Sequence, residues 1–245
     1  MKIAALINYC SNDYRFIKKT IDNVSPFCSQ VIVTACDHFF DGTEENRELL
    51  DTTYKENPTA TFVEYEWTPQ YWTQYWSNMS RLISINQLQD DIDWLLLLDS
   101  DEIIDTKLFV DFLQKTKFDK NSYNLKNYFY FREPIYQSYQ TEDSVVLCRR
   151  ELVNPNVFDI DNEREQYTRI NPLNERNVTN NGIPMVHHYS WVRNKEQMLK
   201  KVQAWWHRND RYWSKLVEEE FSHEFTGVDF IHGYKYKTVE NRYNL

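Results

Sequence analysis

The chain has no apolar run approaching the ~20 residues that a membrane-spanning helix needs. It has no Cys-x-x-Cys pair: Cys10, Cys28, Cys36 and Cys148 stand apart in sequence. That spacing argues against zinc-ribbon and dithiol redox motifs and reads as free thiols in a reducing, cytoplasmic compartment. The sequons at Asn78 and Asn177 are then expected to carry no glycan. There is no surplus of positive charge. Twenty-eight Lys and Arg face 37 Asp and Glu, for a net charge of −9, which argues against a broad nucleic-acid-binding surface. A small phosphorylated ligand held through a metal stays compatible with that charge. There is no internal repeat and no low-complexity linker, so the 245 residues read as one α/β domain.

Aromatic residues, by contrast, are abundant: 16% of the chain, with eight Trp and seventeen Tyr. A bulky core edged by Tyr accounts for them more readily than a sugar- or base-stacking surface.

Hydrophobic periodicity sets out the first half. Lys2 to Ile7 is a short apolar strand rather than the start of a signal peptide, because Asn8, Ser11, Asn12 and Asp13 interrupt it at once. Phe16, Ile17, Thr20, Ile21 and Val24 follow at helical spacing, and Pro26 closes that helix. Gln30 to Ala35 is a second strand, followed by a polar helix over 44–56 and a third strand over Thr61 to Glu66. Trp67, Tyr71, Trp72, Tyr75, Trp76, Met79, Leu82 and Ile83 predict a helix before the apolar run Trp94 to Leu98. Alternating strands and helices argue for a mainly parallel, doubly wound sheet.

The second half is less regular. Leu108 to Leu113 reads as helix, and Asn124 to Phe131 and Ser144 to Arg149 as strands. Glu151 to Pro184 reads as a long loop of functional character. Met185 to Ser190 is a last strand. Asn194 with Gln197 forms a capping box for one long helix whose stripe runs from Met198 through Trp205, Trp206 and Trp213 to Leu216. The tail, 218–245, carries little signal.

The chemistry concentrates at Trp94-Leu-Leu-Leu-Leu-Asp99-Ser100-Asp101-Glu102. A continuous apolar run is a strand buried on both faces, and ligands bind beyond the carboxyl ends of such strands. Three acids in four residues repel one another unless a cation compensates them, and two aspartates suit a hard divalent ion carrying phosphate oxygens. Asn8 and Tyr9 after the first strand, and Asp37 after the second, open on the same edge if the strands are parallel. A carboxylate there accepts a pyrimidine N3–H, and Tyr9 is a candidate to stack on the base. Arg81, on the helix before the central strand, offsets phosphate charge. Of His187 and His188 only one can face a site on one side of the sheet, and imidazole suits Mn²⁺ better than Mg²⁺.

Together these segments resemble the GT-A glycosyltransferases, particularly family 2, over nearly the whole chain to about Asn209. Ala4 to Tyr9 followed by Val31-Ile-Val-Thr34 resembles the opening βαβ. Asp37-His-Phe-Phe-Asp41-Gly42-Thr43 resembles the D-x-S-x-D-G-T loop, with Phe39 in place of Ser. Asn78-Met-Ser-Arg81 before Asp99-Ser-Asp101 resembles the segment ending in the metal-binding D-x-D. Val146-Leu-Cys-Arg149 resembles the R-L-F-R strand, and His188-Tyr-Ser-Trp191 the H-x-S-W segment.

The resemblance implies a Rossmann-like, mainly parallel central sheet flanked by helices, with a small antiparallel portion and a C-terminal helix. Residues 1–101 form its nucleotide-binding half, 102–217 its acceptor and metal half, and 218–245 a tail. It implies a nucleoside-diphosphate sugar donor, with UDP preferred, and Mn²⁺ or Mg²⁺ on the diphosphate. Transfer goes to a glycan hydroxyl with inversion. Asp101, Asp99 and His188 become the metal candidates, with Asn8, Tyr9, Asp37, Arg81, Asp99 and Ser100 at the nucleotide sugar. The departure is the base. Relatives carry a His-Glu pair where this chain has Asn174-Glu175, so Glu175 is the first candidate and Asp161 the next, with Asp159 and Glu163 in the same loop. Two other readings remain at this level: an aspartate-nucleophile phosphatase, whose motif lies nearer the chain start, and an inactive glycan-binding relative.

Overall fold

The computed structural model describes residues 1–70, 73–153, 164, 173–205 and 207–245. Strands β1 (Ile3–Tyr9), β2 (Gln30–Cys36), β3 (Thr61–Tyr65) and β4 (Trp94–Asp99) lie parallel in the order β3-β2-β1-β4. Helices α1 (Tyr14–Val24), α2 (Arg47–Glu56) and α3 (Thr73–Ile85) make the crossovers.

The apolar runs are explained by burial on both faces. Ile3, Ala5, Ile7, Leu96 and Leu98 pack with Ile17, Ile21 and Val24 of α1. Their neighbours Ala4, Leu6, Leu95 and Leu97 face the other way, against Leu82 and Ile85 of α3. Successive strand residues point to opposite faces, so a strand with helices on both sides is apolar throughout.

β4 also pairs antiparallel with β7 (Glu133–Arg149), and β7 with β6 (Ser122–Phe131). β6 continues to β9 (Val186–Trp191), and β9 to β5 (Glu102–Ile104). β8 (Asn174–Val178) flanks the start of β6, β10 (Tyr236–Thr238) flanks β7, and α4 (Thr106–Lys115) follows β5. The result is a curled α/β sheet, parallel in its first half and mixed in its second.

Three expectations change. The stripe from Met198 to Leu216 is two helices, α5 (Lys195–Ala204) and α6 (Trp213–Glu220). A polar turn between them, where His207 Nδ1 lies 2.6 Å from Asp210, lets Trp205 and Trp213 both pack on Trp191. The tail is structured. The Asp229 carboxylate accepts the backbone N–H groups of residues 231 to 234, β10 joins the sheet, and Arg242 pairs with Asp105. These contacts are long-range or turn-specific, so periodicity does not reveal them. Part of the expected long loop is strand β8. No helix among the described residues is long and apolar enough to cross a membrane.

Candidate active site

The parallel pairing brings the ends of β1, β2 and β4 to one edge. Asn8 is in register with Asp99 on one side and Thr34 on the other. α3 lies over this edge, with Ser80 hydrogen-bonded to Asn8 and Arg81 Nη2 donating to Asp99 at 2.9 Å. A cavity of about 440 Å³ opens there, lined at this end by Asn8, Thr34, Ser80, Arg81, Asp99 and Asp101.

The two aspartates differ in setting. Burial opposes ionisation of Asp99, but Arg164 and Arg81 outweigh it and hold its carboxyl below the usual range. Asp101 lies deeper. Burial and the adjacent Asp13 push it up to about 6, although Arg193 Nη2 donates to its Oδ2 at 3.2 Å. Arg193 is fully buried. It bridges Asp13 and Asp101 and donates to the carbonyls of Asn12 (2.8 Å) and Ser190 (2.9 Å). Glu102 turns under the sheet into a buried pair with Arg164, with Nη1 2.7 Å from Oε2. Its Oε2 also accepts the Asp99 backbone N–H at 2.7 Å, which fixes the turn between β4 and β5.

β5 pairs with β9 so that Glu102 lies opposite His188. His188 Nε2 is 3.6 Å from Asp101 Oδ1, and its Nδ1 is 3.8 Å from Glu142. Burial disfavours the imidazolium, yet Glu142, Glu102 and Asp101 raise it to about 9. His187 faces the opposite side of the sheet, where its Nδ1 lies 2.7 Å from the Tyr130 hydroxyl.

Asp101 Oδ1 and His188 Nε2 are close enough for one cation with bonds of ~2.1 Å to touch both. The carboxylate–imidazole mixture suits Mn²⁺. Among the described residues no three His, Cys, Asp or Glu side chains converge as a metal site. The fit is therefore to an ion that takes its remaining ligands from substrate and water, as ions on phosphates do.

The other expected residues are placed as follows. Tyr9 reaches the cavity lining, but it is buried, its ring packs with the core and its hydroxyl is 2.7 Å from Thr53 Oγ1. Ser100 is fully buried and outside the lining, its hydroxyl donating to Asp13 at 2.8 Å. Asp37 lies just outside the lining. Its Oδ1 accepts the Trp67 N–H at 2.8 Å and is 2.8 Å from His38 Nδ1. Glu175 is exposed on β8 opposite Tyr123 and is not among the residues that line the cavity. Its neighbour Arg176 pairs with Asp143, between the lining residues Glu142 and Ser144, so β8 runs beside the cavity while Glu175 stays outside its wall. Asp161, Asp159 and Glu163 lie outside the described residues.

Residues that the sequence did not single out complete the wall. Lys200 and Lys201 enter from α5, and Glu45, Glu142 and His232 from three other segments. Lys201 acts electrostatically on Asp13, Asp99 and Asp101. The Lys-rich helix after His188 was a visible signal, whereas nothing in the local pattern marks Glu142 or His232.

Glu45 is nearly buried. Burial pushes its carboxyl to about 7, even though the Ser11 N–H and hydroxyl donate to it. The folded chain keeps this proton between about 4.5 and 7 while the unfolded chain releases it, so stability falls as pH rises through that window. Glu45→Gln mimics the protonated form. It is expected to raise the melting temperature at pH 8, by the equivalent of ~1–3 kcal/mol, and to change it little at pH 4.5. Calorimetry at the two pH values checks this.

No protein-family model matches the chain, and no curated protein matches it. Solved structures do. A mannosyltransferase from Pyrobaculum calidifontis in complex with GDP-Man and Mn²⁺ superposes with a TM-score of 0.52 at 9% identity, over 83% of this chain and 61% of that one. This chain has the GT-A fold. A 4-diphosphocytidyl-2C-methyl-D-erythritol synthase from Anaerococcus prevotii covers 80% of this chain and 94% of its own, at TM-score 0.46 and 10% identity. A glycosyltransferase involved in glycosylation of the major capsid of PBCV-1 covers 80% and 97%, at TM-score 0.43 and 12% identity. At such identities the likeness concerns the fold, and function has to be argued from the site.

Proposed function

We propose that this GT-A chain is a metal-dependent glycosyltransferase. It moves a sugar from a nucleoside-diphosphate sugar, with UDP preferred, to a hydroxyl of a glycan, with inversion. The observation that carries the reading is one cavity at the carboxyl ends of parallel strands where Asp99, Asp101 and His188 meet Arg81 and Lys201. Acids for a divalent cation and cations for a diphosphate are both needed there, and a cavity of about 440 Å³ is of ligand size.

Asp101 and His188 would hold Mn²⁺ or Mg²⁺, with Asp99 beside them. Bound there, the ion supplies positive charge to the diphosphate as it becomes the leaving group. Lys201 and Arg81 add fixed charge to the same end. Asn8 and Asp99 serve the ribose. Asp37, with 38% of its side chain exposed, is the acceptor for the N3–H of a pyrimidine. The mannosyltransferase of similar fold, solved with GDP-Man and Mn²⁺, supports a nucleotide sugar and a divalent ion.

The test is a thermal-shift panel of UDP, GDP and ADP, each with Mn²⁺, Mg²⁺ or EDTA. UDP with Mn²⁺ at a hundred times its Kd is expected to stabilise the protein by ~2.7 kcal/mol, or ~5–10 °C for a domain of this size. EDTA should remove most of the shift. The absence of any nucleotide-dependent shift would sink the reading.

A further inference from the structure

We propose that Glu142 is the base that takes the proton from the acceptor hydroxyl, an assignment that rests on the transferase reading above. Among the described residues five carboxylates line the cavity: Asp13, Glu45, Asp99, Asp101 and Glu142. Four are committed to strong donors. Arg193 holds Asp13 and Asp101, Arg81 holds Asp99, and the Ser11 hydroxyl and N–H hold Glu45. Each of these contacts occupies a carboxylate oxygen within 3.2 Å. Glu142 instead stands at longer range from two histidine side chains, with Oε2 3.8 Å from His188 Nδ1 and Oε1 3.9 Å from His232 Nδ1, and beside the Tyr234 hydroxyl.

Two features of the backbone aim it. Leu125 pairs with Val145, but Asn127 pairs with Glu142, so β7 bulges between these pairs. Bulges re-aim side chains and are frequent beside active sites. The 229–234 turn is held by Asp229, which accepts N–H groups from Ile231 (2.8 Å), His232 (2.6 Å), Gly233 (3.2 Å) and Tyr234 (3.2 Å). That turn fixes His232 across from Glu142.

The step balances as a single displacement. Glu142 takes the proton from the acceptor O–H, and that oxygen forms a bond to the anomeric carbon. The bond from that carbon to the diphosphate oxygen breaks, and its electron pair leaves with the nucleoside diphosphate. Attack opposite the leaving group inverts the anomeric centre.

The experiment measures nucleoside-diphosphate release from UDP-glucose, UDP-galactose, UDP-N-acetylglucosamine and GDP-mannose with Mn²⁺, water or added azide serving as acceptor. Glu142→Gln is expected to lower turnover by ~10²–10⁴-fold while the Kd for UDP with Mn²⁺ stays within about twofold. Azide carries no proton to remove, so it is expected to restore turnover in Glu142→Ala at least tenfold and to yield the glycosyl azide. Unchanged turnover in Glu142→Gln, or no azide rescue, overturns the assignment. A Mn²⁺ affinity at least tenfold weaker in Glu142→Gln also overturns it, since Glu142 would then serve to orient His188. A wild-type chain that binds none of these nucleotides overturns the transferase reading itself. Binding without release from any donor counts against both.

Discussion

Asp101→Asn is expected to abolish the Mn²⁺-dependent part of nucleotide binding, with a loss of at least ~100-fold, beyond the usual cost of outer-shell changes around a metal. Asparagine keeps the shape and can still accept from Arg193 through its carbonyl oxygen, so folding is expected to persist. What disappears is the negative charge 3.6 Å from His188 Nε2, and with it the pairing of hard anion and imidazole that suits Mn²⁺. Titration of UDP by calorimetry, with Mn²⁺ and with EDTA, separates the effects. The variant should bind UDP equally weakly in both, at the level of the wild type in EDTA. A variant whose Mn²⁺ dependence matched the wild type would remove Asp101 from the metal site.

Arg193→Met is expected to carry the largest stability cost, ~3–5 kcal/mol, because removing one partner of a buried ion network strands the others. Arg193 is 1% exposed, and it joins two acids, Asp13 and Asp101, to the carbonyls of Asn12 and Ser190. That single guanidinium ties β9 to the turn after β1 and to the end of β4. For a domain of this length the loss corresponds to ~6–20 °C in melting temperature. Lysine should not rescue it, since one ammonium cannot match a planar fork reaching four acceptors. Asp13→Asn combined with Arg193→Met should recover part of the loss, because it removes one stranded charge. A melting temperature within 2 °C of the wild type would contradict the network.

The half of the site built from local pattern was legible in the sequence. Leu95 to Leu98 announced a strand buried on both faces, and the parallel pairing put Asn8 beside Asp99, as strand alternation implied. Arg81 reaches Asp99 because it lies on the helix over that strand end. The capping box at Asn194 and Gln197 was also readable, since it depends on residues three positions apart.

Other assignments turned on where distant segments meet. Glu175 stood where the resemblance implied a base, yet it is exposed on β8 and outside the cavity wall. Tyr9 had the position of a stacking ring, yet the core takes it and Thr53 holds its hydroxyl. Ser100 turned inward to Asp13. None of these outcomes is encoded within a few residues of the side chain concerned.

The sequence by itself determined the α/β class, the parallel first half of the sheet and the acidic end of its central strand. These follow from periodicity and local sterics, which act over a handful of residues. Only the tertiary structure decided that Arg193 and Arg164 brace that acidic end, that Lys201 faces it, and that a bulge in β7 and the Asp229 turn set Glu142 between two histidines. The reason is physical. Charges compensate one another by distance in space, and the partners of Asp99 and Asp101 come from residues 13, 81, 164, 188 and 193, which only the folded sheet brings together.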